Sequence, residues 1–303
     1  MDINRQNLDT FFRGISAVFR GAMVTNVPDQ YLQFATIVPS SSARNDYTWL
    51  GEAEELREWI GGRVLTQLAS HDYNVKNRKF ERTLRAQADD LRDDVIGIYS
   101  ARTQMLADAA KLWPNKLCFE ALVSNGLCFD KQNYFDTDHP VGMDAAITVV
   151  SNDNPNGGNV GAYFYLLDTT KPLKPIIFQR REDVSFDSLT DTSSDHVFKF
   201  DEFLYGARAR GNYGYGFWQQ AMRSKTGSTV AELRTELTDL RLRMRSMKND
   251  QGRELGIDPD LIICGRSKHD VLTQAVDSQF VDTAYTPNPV YKAFRIICAP
   301  WLP

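Results

Sequence analysis

Phe135-Asp136-Thr137-Asp138-His139-Pro140 is the segment whose residue types and spacing best match reactive chemistry. Two carboxylates and an imidazole fall within four consecutive positions. Such a set can ligate a divalent metal, or divide acid and base work between a carboxylate and a histidine. The same letters also describe a loop in which an Asp side chain bonds to nearby backbone ahead of a proline. The loop reading asks less of the chain. His71, His196 and His269 lie in three separate segments without a matching acidic motif, so spacing alone assembles no triad. A metal-dependent hydrolase built on Asp136, Asp138 and His139 stands as the enzymatic alternative.

Other reactive patterns are thin. Cys118, Cys128, Cys264 and Cys298 contain no C-x-x-C pair and fit no zinc spacing. They read as reduced, mostly buried thiols, although sequence leaves a disulfide open. There is no G-x-S-x-G elbow, no P-loop and no H-E-x-x-H. Gly211, Gly214 and Gly216 have the wrong order for a dinucleotide cradle and sit inside a strand pattern. No catalytic residue, cofactor or metal site is therefore expected.

The 303 residues carry 35 Lys+Arg against 39 Asp+Glu, a net charge of −4, and are 42% hydrophobic. These are ordinary globular values. They argue against a disordered chain, a small disulfide scaffold and a nucleic-acid binder that relies on overall positive charge. No apolar run is long enough for a transmembrane helix, and the N-terminus has no signal peptide.

The positioning elements follow from periodicity. Residues 7–21 read as an amphipathic helix, with Leu8, Phe11, Phe12, Ile15, Val18 and Phe19 on its apolar stripe. Residues 24–46 look extended, which suggests an arm more than a compact domain start. Residues 47–88 scatter aromatics among many charges and read as a long charged hairpin or loop with little core of its own. Phe80, Arg82, Leu84 and Ala86 would share one strand face, and Lys79, Glu81, Thr83 and Arg85 the other. Asp89, Asp90, Asp93 and Asp94 precede a helix expected over 97–125, whose dipole they would complement. Its stripe is expected at Ile98, Met105, Ala109 and Leu112, then at Cys118, Ala121, Leu122 and Asn125. Pro114 should kink it or begin a second helix.

Further on, strands are expected at 162–167 and 175–179, a surface loop at 182–196, and a glycine-punctuated strand pattern from Phe198 to Phe217. A helix over 229–248 opens on the capping box Thr229-Val230-Ala231-Glu232. Leu233, Leu237, Leu240, Met244 and Met247 form its apolar face. Strand, short helix and strand close the chain at 261–264, 267–276 and 294–299.

The motifs, taken in order, narrow the reading. They include Tyr47-Thr48-Trp49-Leu50-Gly51, Leu56-Arg57-Glu58-Trp59-Ile60-Gly61 and Lys76-Asn77-Arg78-Lys79-Phe80-Glu81. Asp93-Asp94, Gly97-Ile98-Tyr99, Tyr134 to Pro140, Tyr165-Leu166-Leu167-Asp168 and Lys174 to Gln179 follow. Tyr205 to Arg210, Gly214 to Gln219 and Leu255-Gly256-Ile257 complete the set. With these the sequence resembles the Mu-type bacteriophage major head subunits, the T protein family, over nearly its whole length. Their joint order carries the resemblance.

The resemblance implies an α+β chain with the Hong Kong 97-type tailed-phage major capsid fold. Residues 1–45 would be the N-arm, and 46–90 an E-loop that reaches over a neighbouring subunit. Residues 91–126 and 174–222 would supply the P-domain, as spine helix and strands. Residues 127–173 and 223–303 would mainly build the A-domain. The implied role is structural and not enzymatic: hexamers and pentamers of an icosahedral virion capsid, assembled in the host bacterial cytoplasm. The shell would enclose double-stranded DNA without sequence-specific binding. A separate scaffolding protein, a portal and a decoration protein are the expected partners, with no membrane. Since fold-like pattern starts almost at Met1, no large N-terminal excision is expected. Inter-subunit contacts are expected at Phe11, Phe12, Trp49, Trp59, Arg78, Arg82, Asp93 and Asp94. A cellular nanocompartment shell of the same fold is the alternative.

Overall fold

The computed structural model describes residues 5–25, 29–48, 50, 72–93, 96–142, 147–154, 161–282 and 285–303. The first half contains α1 (Arg5–Val24), β1 (Ala35–Pro39), β2 (Arg44–Asp46), β3 (Asn74–Lys76), β4 (Arg78–Gln87), α2 (Ala88–Arg92) and α3 (Ile96–Ser124). Next come β5 (His139–Val141), β6 (Thr148–Val150), β7 (Asp153–Asn154), β8 (Phe164–Leu167), β9 (Ile176–Leu189), α4 (Asp195–Phe200) and β10 (Glu202–Tyr215). The chain ends with β11 (Ala221–Ser224), α5 (Val230–Arg245), β12 (Leu261–Cys264), α6 (Arg266–Asp277) and β13 (Arg295–Cys298).

Two larger sheets organise these elements, beside the two-stranded pairs β2-β3 and β5-β6. The first has the order β1-β9-β10-β4, with β1 parallel to β9 and the other pairs antiparallel. Its centre is the hairpin of β9 and β10, in register from Ile176↔Tyr215 to Leu189↔Leu204, with irregularities between Arg208 and Gly211. The second has the order β13-β12-β8-β11-β7. There β12, α6 and β13 form the expected strand–helix–strand crossover with parallel strands.

One hydrophobic core joins both sheets. Ile176, Ile177 and Phe178 of β9 belong to it with β8, β12, Leu233, Leu237 and Leu240 of α5, and Leu117, Cys118, Phe119, Ala121 and Leu122 of α3. The capping box at Thr229 and Glu232 forms as expected, and Leu233, Leu237, Leu240 and Met244 are fully buried. A second cluster packs Leu8, Phe11, Phe12 and Ile15 of α1 onto Leu91, Tyr99, Phe203 and Tyr205. The amphipathic helix at the start of the chain thus spends its apolar face on the chain's own α3 and β10.

Several expectations change. The α3 helix continues through Pro114 as one element of 29 residues, about 43 Å long, so no second helix begins there. Trp113 beside the proline is held by Phe80 and Phe178, with centroids 5.1 and 5.5 Å away. In the first half of α3 the buried residues are Tyr99, Thr103, Leu106 and Ala107, while Ile98 and Met105 face solvent. Asp89 and Asp90 lie in the first turn of the short α2 and not at the start of α3. Residues 182–189 continue β9 instead of forming a loop, because β10 supplies a pairing partner for the polar stretch. Residues 195–200 form α4, capped by the Ser194 hydroxyl accepting from Val197 N–H.

Candidate functional site

His139 opens β5 and is fully buried, whereas Asp138 is exposed and Asp136 half-buried. Successive residues of an extended chain point to opposite sides, so neighbours in sequence need not converge. Asp136 Oδ1 accepts the Thr137 amide at 2.7 Å, and its own amide donates to Asn152 Oδ1 at 2.8 Å. This is the loop arrangement. Burial acts to raise the Asp136 carboxyl, but the Thr137 amide and a hydrogen bond with Asp138 outweigh it and hold it low. The same hydrogen bond pushes Asp138 up.

His139 turns instead to Asp130. Nδ1 lies 2.6 Å from Asp130 Oδ2, and the ring stacks on Trp218 with centroids 4.0 Å apart and planes 8° apart. Asp130 Oδ1 accepts from Cys128 Sγ at 2.9 Å and from the Gln132 amide at 3.0 Å. A tight turn after α3 presents this pair. Cys128 N–H donates to Gln132 C=O, Lys131 N–H donates to Cys128 C=O, and Lys131 adopts a left-handed φ of 70°. Burial pushes the Cys128 thiol up, and the Asp130 charge adds to it. Burial also acts to raise Asp130, but hydrogen bonds from His139 and Cys128 outweigh it and hold the carboxylate low. The thiol is therefore protonated and faces a carboxylate, not an imidazole, so nothing here activates it as a nucleophile. The sequence signal was Cys-x-Asp followed nine residues later by His. A search for paired cysteines passes over it.

The second candidate is a surface. A groove of about 590 Å³ runs between α3 and strands β4 and β10, lined by Phe80, Ala109, Trp113, Val123 and Trp301, with Arg82 also lining it. On β4 only Ala86 is buried. Arg78 pairs with Glu120 at 2.9 Å and Arg85 with Glu202 at 3.3 Å. Arg82 is exposed and makes no ion pair among the described residues. Glu182 on β9 receives Arg210 at 2.8 Å and Arg208 at 3.0 Å, with Arg210 the larger influence holding its carboxyl low.

The residues expected at subunit contacts fall in several places in the fold. Phe11 packs edge-on to Tyr99, and Phe12 lies against Phe203 and Tyr205, all within the chain. Asp93 is exposed at the C-cap of α2. Trp49, Trp59 and Asp94 lie outside the described residues. Phe198 and Phe200, expected to begin the strand pattern, lie instead on α4 and are 85% and 61% exposed.

Comparison with known proteins places these features. The family described as Mu-like prophage major head subunit gpT matches residues 8–302. The Mu-like prophage FluMu major head subunit of Haemophilus influenzae is 37% identical over 275 residues, 88% of each chain. The major capsid protein of Escherichia phage Mu is 38% identical over 252 residues, 81% of each. Among solved structures, a chain of the procapsid of bacteriophage JBD30 superposes with a TM-score of 0.84 at 36% identity. The match covers 99% of this chain and 100% of that one.

Proposed function

The chain belongs to the Mu-like prophage major head subunit gpT family and is a major capsid protein of a tailed-phage head, and from that premise we propose how it assembles. Its fold is the Hong Kong 97-type major capsid fold. Copies join as hexamers and pentamers, and segment 46–90 of one copy reaches over the next. The domain division follows: N-arm 1–45, E-loop 46–90, P-domain 91–126 with 174–222, and A-domain mainly 127–173 with 223–303.

The observation that carries the assembly reading is β4 and the groove beside it. β4 is the edge strand of the first sheet, paired with β10 on one side and with one buried side chain in ten. An open apolar groove lies against it. A neighbouring subunit fills the groove and covers the exposed face of the strand beside it. Arg82 projects from this region without an ion pair among the described residues. The Arg78–Glu120 pair leaves both side chains 46% exposed, so it contributes at most about 1 kcal/mol and exchanges readily. Both arginines pair with acidic residues of a neighbour, with Asp93 as one such acid.

A separate scaffolding protein, a portal and a decoration protein complete the head, which is assembled in the host bacterial cytoplasm. The net charge of −4, repeated in every copy, suits a wall that confines double-stranded DNA without gripping it. The test is charge reversal. Arg78→Glu with Arg82→Glu should lower the assembled fraction, and the deficit should depend on salt. Normal assembly of the double variant at both low and high salt would remove the pairing from the account.

A further inference from the structure

We propose that Cys128, Asp130 and His139 form a binding site for a zinc-type divalent cation. A sulfur, a carboxylate oxygen and a ring nitrogen lie within 4.8 Å of one another, the one such grouping among the described residues. Zinc takes these three donor types, at about 2.0–2.3 Å. Donors set tetrahedrally at those distances stand roughly 3.5 Å apart. The contacts of Asp130, 2.9 Å to Sγ and 2.6 Å to Nδ1, are shorter than that. A cation therefore enters by widening two hydrogen bonds, with no remote group to recruit.

Burial and charge point the same way. Cys128 and His139 are 3% and 0% exposed. His139 Nε2 is buried without a hydrogen-bond partner, so no protein group fixes the proton on that side of the ring. On binding, the Cys128 S–H proton leaves to solvent and a sulfur–metal bond replaces it. Nδ1, the nitrogen that faces Asp130, ligates the cation, and the ring proton sits on Nε2. A thiolate, a carboxylate and a dication then sum to zero, the charge a buried site favours. Sulfur and imidazole donors select zinc over magnesium or calcium, and three protein donors leave a position for water.

The placement gives the cation a mechanical role. Cys128 and Asp130 sit in the turn that ends α3, and His139 opens β5 against Trp218, just before β11. A cation there ties the end of the long helix to the segments that feed the second sheet.

The test is elemental analysis of the full chain purified without chelator, alongside Cys128→Ser, with cobalt loading as a spectroscopic probe. The wild type should hold about one zinc per chain, and Cys128→Ser should retain roughly tenfold less or lower. Cobalt-loaded wild type should show a thiolate-to-cobalt charge-transfer band that Cys128→Ser lacks. Chelation should lower the thermal midpoint of the wild type and leave that of Cys128→Ser unmoved. Wild-type protein that binds no added zinc and keeps its midpoint overturns the proposal. So does a Cys128→Ser variant with unchanged zinc content and cobalt spectrum. Should that variant fail to fold, the cobalt spectrum of the wild type alone decides sulfur ligation.

Discussion

Replacing Tyr215 by phenylalanine probes how the long helix is fastened to the sheet. The Tyr215 ring ends β10, is 3% exposed, and stacks on Tyr134 with centroids 4.5 Å apart. Its hydroxyl accepts the Gly126 amide at 2.8 Å and donates to the Ala121 carbonyl at 2.8 Å. Ala121 lies in the last turn of α3, so the hydroxyl bridges the end of the helix and the turn that follows it. Phenylalanine keeps the ring packing, so the loss is polar. Ala121 C=O retains the Asn125 amide at 3.3 Å, whereas Gly126 N–H loses the hydroxyl. One net hydrogen bond plus a stranded donor amounts to about 2 kcal/mol. Tyr213→Phe is the control, because its hydroxyl makes an exposed bond to Ser124 Oγ and should change stability by less than about 0.5 kcal/mol. Urea unfolding of unassembled subunits, followed by tryptophan fluorescence, reads both. A Tyr215→Phe variant within about 0.5 kcal/mol of wild type, or equal to Tyr213→Phe, refutes the anchoring role.

Two other expectations concern acid stability and assembly. Burial acts to raise Asp260, but Arg295 at 2.6 Å and the Thr169 amide at 2.7 Å outweigh it and hold the carboxyl low. A depressed carboxylate stabilises the fold above its unfolded pKa near about 4, and that contribution is lost as pH falls through the folded value. Asp260→Asn should therefore flatten the acid limb of urea midpoints between about pH 6 and about pH 3, and an unchanged limb contradicts this. Ala109→Arg places a long cation in the groove at an exposed helix position, so folding should change by under about 0.5 kcal/mol while sedimentation shows less assembled protein. Wild-type assembly would show that the groove seats no neighbour.

Legibility in the sequence followed how local each signal was. Helix α5 was readable because its capping box and leucine spacing lie within one element. The crossover of β12, α6 and β13 was readable from two buried apolar runs around a helical pattern. Residues 182–189 were not, because Glu182, Asp183 and Asp187 become a strand only through β10, whose sequence lies later. On α3, Ile98 and Met105 looked like core by type, yet α1 packs on the face carrying Tyr99. The reactive reading of His139 paired it with adjacent Asp136 and Asp138. Its real partner, Asp130, lies across a turn that sequence spacing does not display.

The central claim is that this chain exists to build a shell. Electron microscopy of the purified protein, alone and with its scaffolding protein, tests that most directly. The account predicts closed shells, or hexameric and pentameric capsomers. A monodisperse monomer of 34.4 kDa that persists under every assembly condition would contradict it.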